Sequence, residues 1–218
     1  MVEEARVKGR IEGTINSTFI ALIPKQKGLL NFNDYEPISL CNTMYKIISK
    51  VIAERLKGVL SKFIIAEQSG FLKNRSIHDA VAATQEIIHT IQGKKREAVV
   101  MKIDLNKAYD RVDWTFMRLI LFKIGMDAEA VKWIMSCISN TTMAIIINGM
   151  TTNFVHPSRG LRQGCSLSPL LFILMMDALS IKIKRAAELG SFKGINIGQS
   201  MVSTHNILVD DILFFGML

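Results

Sequence analysis

Residues 207 to 215 read Ile-Leu-Val-Asp-Asp-Ile-Leu-Phe-Phe, two short apolar segments with two adjacent carboxylates between them. Ile207 to Val209 and Ile212 to Phe215 are too short for helices and suit strands. The chain must therefore bring Asp210 and Asp211 to the place where one strand segment gives way to the next. Two ionised carboxylates side by side repel each other unless a cation or a proton separates them. Two readings follow: a tight turn that holds a metal, or a solvated β-turn in which Asp is favoured on its own account.

A third acid bears on that choice. Ala98 to Leu105 is a short apolar run broken by Lys102 and Asp104, the pattern of a strand with an acid near its C-terminal end. If this strand neighbours those around Asp210-Asp211 in one sheet, three carboxylates converge, a set able to hold two divalent ions. Two ions ~3.5 to 4 Å apart serve phosphoryl transfer by activating the attacking oxygen, stabilising the leaving one and neutralising phosphate charge. Mg2+ prefers such oxygen ligands. The plainer reading of Asp104 is a cap for the segment Asn106 to Tyr109.

Composition narrows the field. A chain of 218 residues is one large domain or two small lobes, and 49% hydrophobic with 21% charged residues is the balance of a globular protein that buries a core. That excludes a disordered chain. A net charge of +8, spread over both halves, favours a polyanionic partner such as nucleic acid. Cys41, Cys137 and Cys165 lie far apart with no C-x-x-C pair, so no disulfide framework is expected and a reducing compartment is the simplest setting. The acidic N-terminus is not a signal peptide, and the most apolar stretch, Leu170 to Met176, is too short to span a membrane. An intracellular protein, cytoplasmic or nuclear, is expected. His78, His89, His156 and His205 share no metal-ligand spacing, and Cys165 has no local histidine to make it a nucleophile.

The four prolines all fall where periodicity breaks. Thr18 to Ile23 reads as a buried strand, followed by a polar loop from Lys25 to Tyr35. From Asn42, a candidate N-cap, apolar residues recur at helical spacing as far as Leu60. Ile77 to Ile91 is a second helix, stopped by Gly93 and Lys94-Lys95-Arg96. Trp114 to Ile124 and Ala128 to Ile138 are two helices joined at Gly125, and Pro169 to Ala187 is a third, with Ser168 as cap. Met143 to Ile147 and Thr151 to Val155 flank Asn148-Gly149, the signal of a hairpin with a type I′ turn. The class is α/β or α+β with mixed strands.

Met101-Lys102-Ile103-Asp104-Leu105-Asn106-Lys107-Ala108-Tyr109-Asp110-Arg111-Val112-Asp113-Trp114 resembles motif A of the reverse transcriptases of LINE-type (non-LTR) retrotransposons. The run Pro157 to Phe172, with Arg159-Gly160-Leu161-Arg162-Gln163-Gly164-Cys165-Ser166-Leu167-Ser168-Pro169 at its centre, resembles motif B, and His205 to Phe215 resembles motif C. Upstream, Phe19 to Lys25, Tyr35 to Asn42, and Gln68-Ser69-Gly70-Phe71 with Arg75 and Asp79 are similar to the family's fingers segments. The resemblance runs from Thr18 to Phe215.

It implies a right-hand polymerase fold, with residues 1–17 as a helical lead-in, 18–97 as fingers and 98–218 as a palm whose mixed or antiparallel sheet packs on helices. It implies RNA-directed DNA synthesis from dNTPs on a primer 3′-hydroxyl, with an RNA template and a DNA primer as partners. Asp104, Asp210 and Asp211 are then catalytic and hold two Mg2+, for which Mn2+ can substitute. Tyr109 matches a steric gate against a 2′-hydroxyl, or is simply a buried aromatic. Gln163 lies near the incoming nucleotide, Arg75 matches a triphosphate-binding arginine and Lys46 assists it, the plainer reading of each cation being a surface charge. Lys25 and Lys73 are weaker candidates. Gly160 and Gly164 let backbone pass close to template and base, and Val209 lies beside the primer terminus.

The sequence also departs from the family pattern. Leu208 and Val209 stand where an aromatic and an alanine are usual, implying slower synthesis. Glu36 replaces a usual arginine, a charge reversal on a surface that faces nucleic acid, and Cys165-Ser166 is a mild change in motif B. The chain ends just after motif C, so the thumb is expected to be absent. A catalytically inactive remnant that binds RNA or an RNA:DNA duplex is the alternative.

Overall fold

A computed structural model describes residues 2–25, 31–65, 67–68, 70–71, 75–95, 97–197 and 201–217. Lys73, Arg96 and part of the loop after Lys25 lie outside them. In chain order the helices are α1 Val2–Lys8, α2 Gly13–Asn16, α3 Thr43–Phe63, α4 Ile77–Gly93, α5 Trp114–Lys123, α6 Ala128–Ser139 and α7 Ser168–Glu188. The strands are β1 Thr18–Pro24, β2 Tyr35–Cys41, β3 Ala98–Asp104, β4 Met143–Ile147, β5 Met150–Thr151, β6 Ile195–Ile197, β7 Met201–Ser203, β8 His205–Leu208 and β9 Asp211–Met217. No helix among the described residues is long and apolar enough to cross a membrane.

The chain divides into two compact units that interleave in sequence, residues 1–56 with 109–171 and residues 57–108 with 172–218. The boundary between fingers and palm expected at residue 97 falls inside the second of these units. In the first unit β1 pairs with β4 across that boundary, and in the second an isolated bridge joins Gln68 to Ile207.

In the first unit the sheet order is β2-β1-β4-β5. β1 lies antiparallel to β2, from Thr18↔Cys41 to Pro24↔Tyr35, and parallel to β4, from Thr18↔Met143 to Ala21↔Ile146. The β4–β5 turn has Asn148 and Gly149 both at positive φ, 50° and 79°, as a type I′ turn requires. Its second strand is shorter than expected, because Thr152 Oγ1 accepts the Ile145 N–H at 3.0 Å and interrupts regular pairing, which resumes at Met143↔Val155. Helix α3 starts where Asn42 Oδ1 caps the Met44 N–H at 2.8 Å, and it buries Tyr45, Ile48, Ile52 and Leu56 at helical spacing. Met117 and Leu121 of α5 and Val131, Ile134 and Cys137 of α6 are buried too.

In the second unit β3, β9 and β8 form an antiparallel sheet in that order, beside the β6–β7 hairpin. Ser76 caps α4 through a capping box with Asp79. Ile87 of α4 packs with Ile195, Ile197 and Phe215, and Ile91, Ala98, Leu213 and Met217 close around them. A core formed by one helix and two sheets fixes where β9 begins, and the candidate site lies at that point.

Candidate active site

The carboxylates belong to the second unit. β8 and β9 pair as far as Leu208↔Asp211, which leaves Val209 and Asp210 as a two-residue turn. The sequence placed the acids themselves at the break between strands. The structure moves the turn back by one residue, because Asp211 is already paired as the first residue of β9. Val209 has φ 59°, whereas Asp210 has no positive φ, the sign pattern of a type II′ turn. Glycine is the residue that favours this first position. A β-branched valine there carries strain of about 1–3 kcal/mol.

β3 lies antiparallel to β9 in the register Asp104↔Asp211. Residues directly opposite each other across antiparallel strands project to the same face with Cβ atoms about 4.5–5.5 Å apart. The pairing therefore brings together Asp104 and Asp211, and Asp210 follows in the adjoining turn.

A cation already lies against these acids. The Lys102 ammonium is 3.0 Å from Asp211 Oδ1, and Lys102, two residues before Asp104 on β3, shares its face. Its pKa is raised, first by the bond to Asp211 and then by the charge of Asp211, with smaller contributions from Asp104 and Asp210. All three carboxylates thus act on one ammonium. The side chains of Lys102 and Asp211 are 63% and 41% exposed, so solvent screens the pair and the lysine is free to exchange. Among the described residues no three His, Cys, Asp or Glu groups are gathered closely enough to hold a metal as they stand. The donor set itself, three hard oxygen ligands around a place that already holds a positive charge, fits a divalent cation. Sequence reasoning did not assign Lys102, although its spacing from Asp104 was the available signal.

Arg75 also lies in this unit. Its Nη1 donates to the carbonyls of Ile65 and Gln68, and its Nη2 to that of Ile64 at 2.6 Å. These bonds do not use the Nε–H or the second Nη2–H. Close by in the hydrogen-bond network, the buried Asp177 of α7 accepts the Ile65 N–H at 2.9 Å. Burial raises its pKa against the pull of that N–H, of Arg75 and of Lys184. A carboxyl whose folded-state pKa exceeds its unfolded one costs stability as pH rises between the two values, and the full cost remains above the folded value. Asp177→Asn is therefore expected to raise the thermal midpoint at pH 7. The gain should shrink as pH falls toward ~4, the ordinary aspartate value, which paired melts at the two pH values check.

The first unit holds the other expected site residues. The half-buried Tyr109 is fixed through its backbone, since its carbonyl accepts the Leu161 N–H at 2.8 Å. Gly160 donates to Val112 O at 2.8 Å and its carbonyl accepts the Trp114 indole at 2.8 Å. It has φ 94°, and a Cβ there would lie 3.0 Å from Asp110 O, so only glycine fits where the two motif loops meet. Gln163 is half-buried, and its carbonyl accepts the Ser39 N–H at 2.9 Å. Gly164, at φ 96°, sits against Ser39 O. Lys46 is exposed on α3. The sequence also gave Arg162 no role, yet it is 4% exposed and forms the buried anchor of this loop.

Comparisons with known proteins bear on the family and the fold. The family model described as reverse transcriptase (RNA-dependent DNA polymerase) matches residues 23–217. The chain is 29% identical over 177 residues to the transposon TX1 uncharacterized 149 kDa protein of Xenopus laevis, a match covering 81% of this chain and 14% of that protein. It is 24% identical over 193 residues to the retrovirus-related Pol polyprotein from type-1 retrotransposable element R2 of Popillia japonica, covering 86% of this chain and 26% of that one. The chain thus spans between 14% and 26% of the length of these two relatives. In fold it is similar to telomerase from Candida albicans, solved in complex with a TWJ fragment of telomeric RNA, with TM-score 0.64 and 14% identity over 95% of this chain and 39% of that one. With the family matched over nearly all of its length and a mixed α/β fold of the polymerase fingers and palm, this chain belongs to the reverse transcriptase (RNA-dependent DNA polymerase) family, as a domain of the non-LTR retrotransposon kind.

Proposed function

We propose that the domain carries out RNA-templated DNA synthesis, adding nucleotides from dNTPs to a DNA primer 3′-hydroxyl. The observation that carries this reading is the register Asp104↔Asp211 with Asp210 in the adjoining turn. Reverse transcriptases generally use divalent metals, and here Asp104, Asp210 and Asp211 would hold two Mg2+, or Mn2+ in their place. When bound, such ions activate the attacking oxygen and neutralise charge on the phosphate.

The remaining roles fall to the chain's own groups. Lys102, whose ammonium lies against Asp211, would balance the charge of the acids in the metal-free chain. Arg75 would offer its Nε–H and remaining Nη2–H to the triphosphate, with Lys46 adding charge. Tyr109 would close the space that a 2′-hydroxyl needs, and Gln163 would orient the nucleotide. Gly160 and Gly164 would give template and base a close approach to backbone, and Val209 would lie beside the primer terminus. This activity belongs where RNA and dNTPs meet, in the cytoplasm or nucleus.

Primer extension on an RNA template, with Mg2+ or Mn2+ and with chelator, tests the reading. Incorporation that needs the metal is expected. Tyr109→Val should then improve use of ribonucleotides relative to deoxynucleotides by about 10- to 100-fold, the range over which a small change in pocket volume discriminates. RNA binding that weakens with salt as counterion release requires, with no incorporation, would instead favour a domain that binds RNA or an RNA:DNA duplex without synthesis.

A further inference from the structure

The strained turn that carries Asp210 is held from outside its own hairpin. β8 is the outer strand of its sheet, and the segment at Glu67 and Gln68 runs along its free edge. Ile207 N donates to Glu67 O at 2.9 Å, and Gln68 bridges to Ile207 in parallel fashion. The main-chain ladder stops there, one residue before the turn. Gln68 extends it with its side chain, whose Oε1 accepts both the Gly70 N–H at 3.1 Å and the Val209 N–H at 3.4 Å. Gln68 is fully buried, and its Nε2 has no hydrogen-bond partner among the described residues. A buried amide that leaves its donor unmatched while its acceptor serves two backbone groups is placed for those groups.

Steric contact acts on the same residue. Gly70 has no left-handed φ, so its dihedral angles do not demand glycine. Its space does: a Cβ at Gly70 would meet Val209 Cγ2 at 2.8 Å. The missing side chain of Gly70 is what admits the valine. Arg75 completes the support, since it donates to the carbonyl of Gln68 and to those of Ile64 and Ile65.

We infer that Gln68, Gly70 and Arg75 form a lock that holds Val209 in its left-handed conformation and thereby aims Asp210. Gln68 is a positioning residue, acting through Val209 and not on substrate. The inference rests on reading the hairpin as the catalytic one, and two measurements separate the lock from that reading.

The first is amide hydrogen exchange on the chain without metal or nucleic acid. Gln68→Met keeps volume and removes the acceptor. It should raise exchange across residues 205–211 by about tenfold and leave α5 unchanged, the signature of local opening. No change, or equal acceleration throughout the chain, would overturn the lock.

The second is a double-mutant cycle read by primer extension and by the same exchange measurement. Gly70→Ala should slow incorporation about tenfold, and adding Val209→Ala, which removes Cγ2, should return the rate to that of Val209→Ala alone. A neutral Gly70→Ala, or no recovery in the pair, would overturn the lock. A parent chain that incorporates nothing, while exchange follows the cycle, would sink the polymerase reading and uphold the lock.

Discussion

Asp104→Asn is expected to lower nucleotide incorporation by about 1,000-fold while leaving the melting temperature nearly unchanged. The substitution keeps the shape of the side chain and removes one anionic oxygen from the face that Asp104 shares with Asp211. Charge stabilisation by bound metal is worth several kcal/mol in such reactions, and each ~1.4 kcal/mol is a factor of ten in rate. Asp104 is exposed at the end of β3, so its loss removes no core contact. Asp210→Ala with Asp211→Ala should reach the same floor, since either change leaves too few ligands for two ions. Single-nucleotide extension with metal titration, beside a thermal melt, checks both halves. A rate within about tenfold of the parent would remove Asp104 from the metal site.

Arg162→Ala is expected to destabilise the chain by about 4 kcal/mol, the upper end of what single substitutions do and a large share of a domain's usual ~5–15 kcal/mol. Among the described residues no carboxylate pairs with the buried guanidinium. Nη1 donates to Asn16 O at 3.1 Å, Thr18 Oγ1 at 2.9 Å and Thr141 Oγ1 at 3.4 Å, and Nη2 to Asn16 Oδ1 at 2.7 Å and Cys137 O at 2.5 Å. Its central carbon also lies 3.7 Å from the centre of the Tyr45 ring. Neutral oxygens and one aromatic face thus solvate the whole charge. Burial keeps the Tyr45 hydroxyl and the Cys137 thiol protonated, so neither serves as its counterion.

Truncation to alanine leaves these acceptors unmatched around a cavity, and both effects add. Arg162→Lys should recover only part, since an ammonium lacks the planar fork that reaches oxygens on both sides. Urea unfolding of the three proteins checks the order. Because Gln163 follows directly and its carbonyl is tied to Ser39, the lysine variant should also weaken nucleotide binding before it unfolds the chain.

What the sequence revealed and what it hid divide along one line. Helices α3 to α7 lie where the sequence places them, with ends displaced by up to three residues, as at Phe63, because their periodicity and caps are local signals. Asn42 and the Asn148-Gly149 turn did in the structure what their residue types suit them for. β2 escaped notice because Pro37 and mixed polarity blur its pattern, and it is a strand because β1 offers it a register. β6 and β7 are too short to show a period. The facing of Asp104 and Asp211 was legible only as a condition, since strand register over so long a separation leaves no mark in either segment. Gln68 and Arg162 are hidden for the same reason, since each works through partners that sequence distance conceals, whereas Lys102 carried a local signal in its spacing from Asp104.

The interleaving of the two units has a consequence during synthesis. A ribosome that has delivered residues 98–104 has made β3, with Val99, Met101 and Ile103 partly exposed even in the finished fold, and its strand partner among the described residues, β9, follows only at residues 211–217. Until residues 211–217 appear, that strand is an unpaired apolar edge of the kind that invites association with other chains. Neither unit can close early, because each needs its second segment. A ribosome stalled between residues 108 and 205 is therefore expected to carry a chain prone to aggregate.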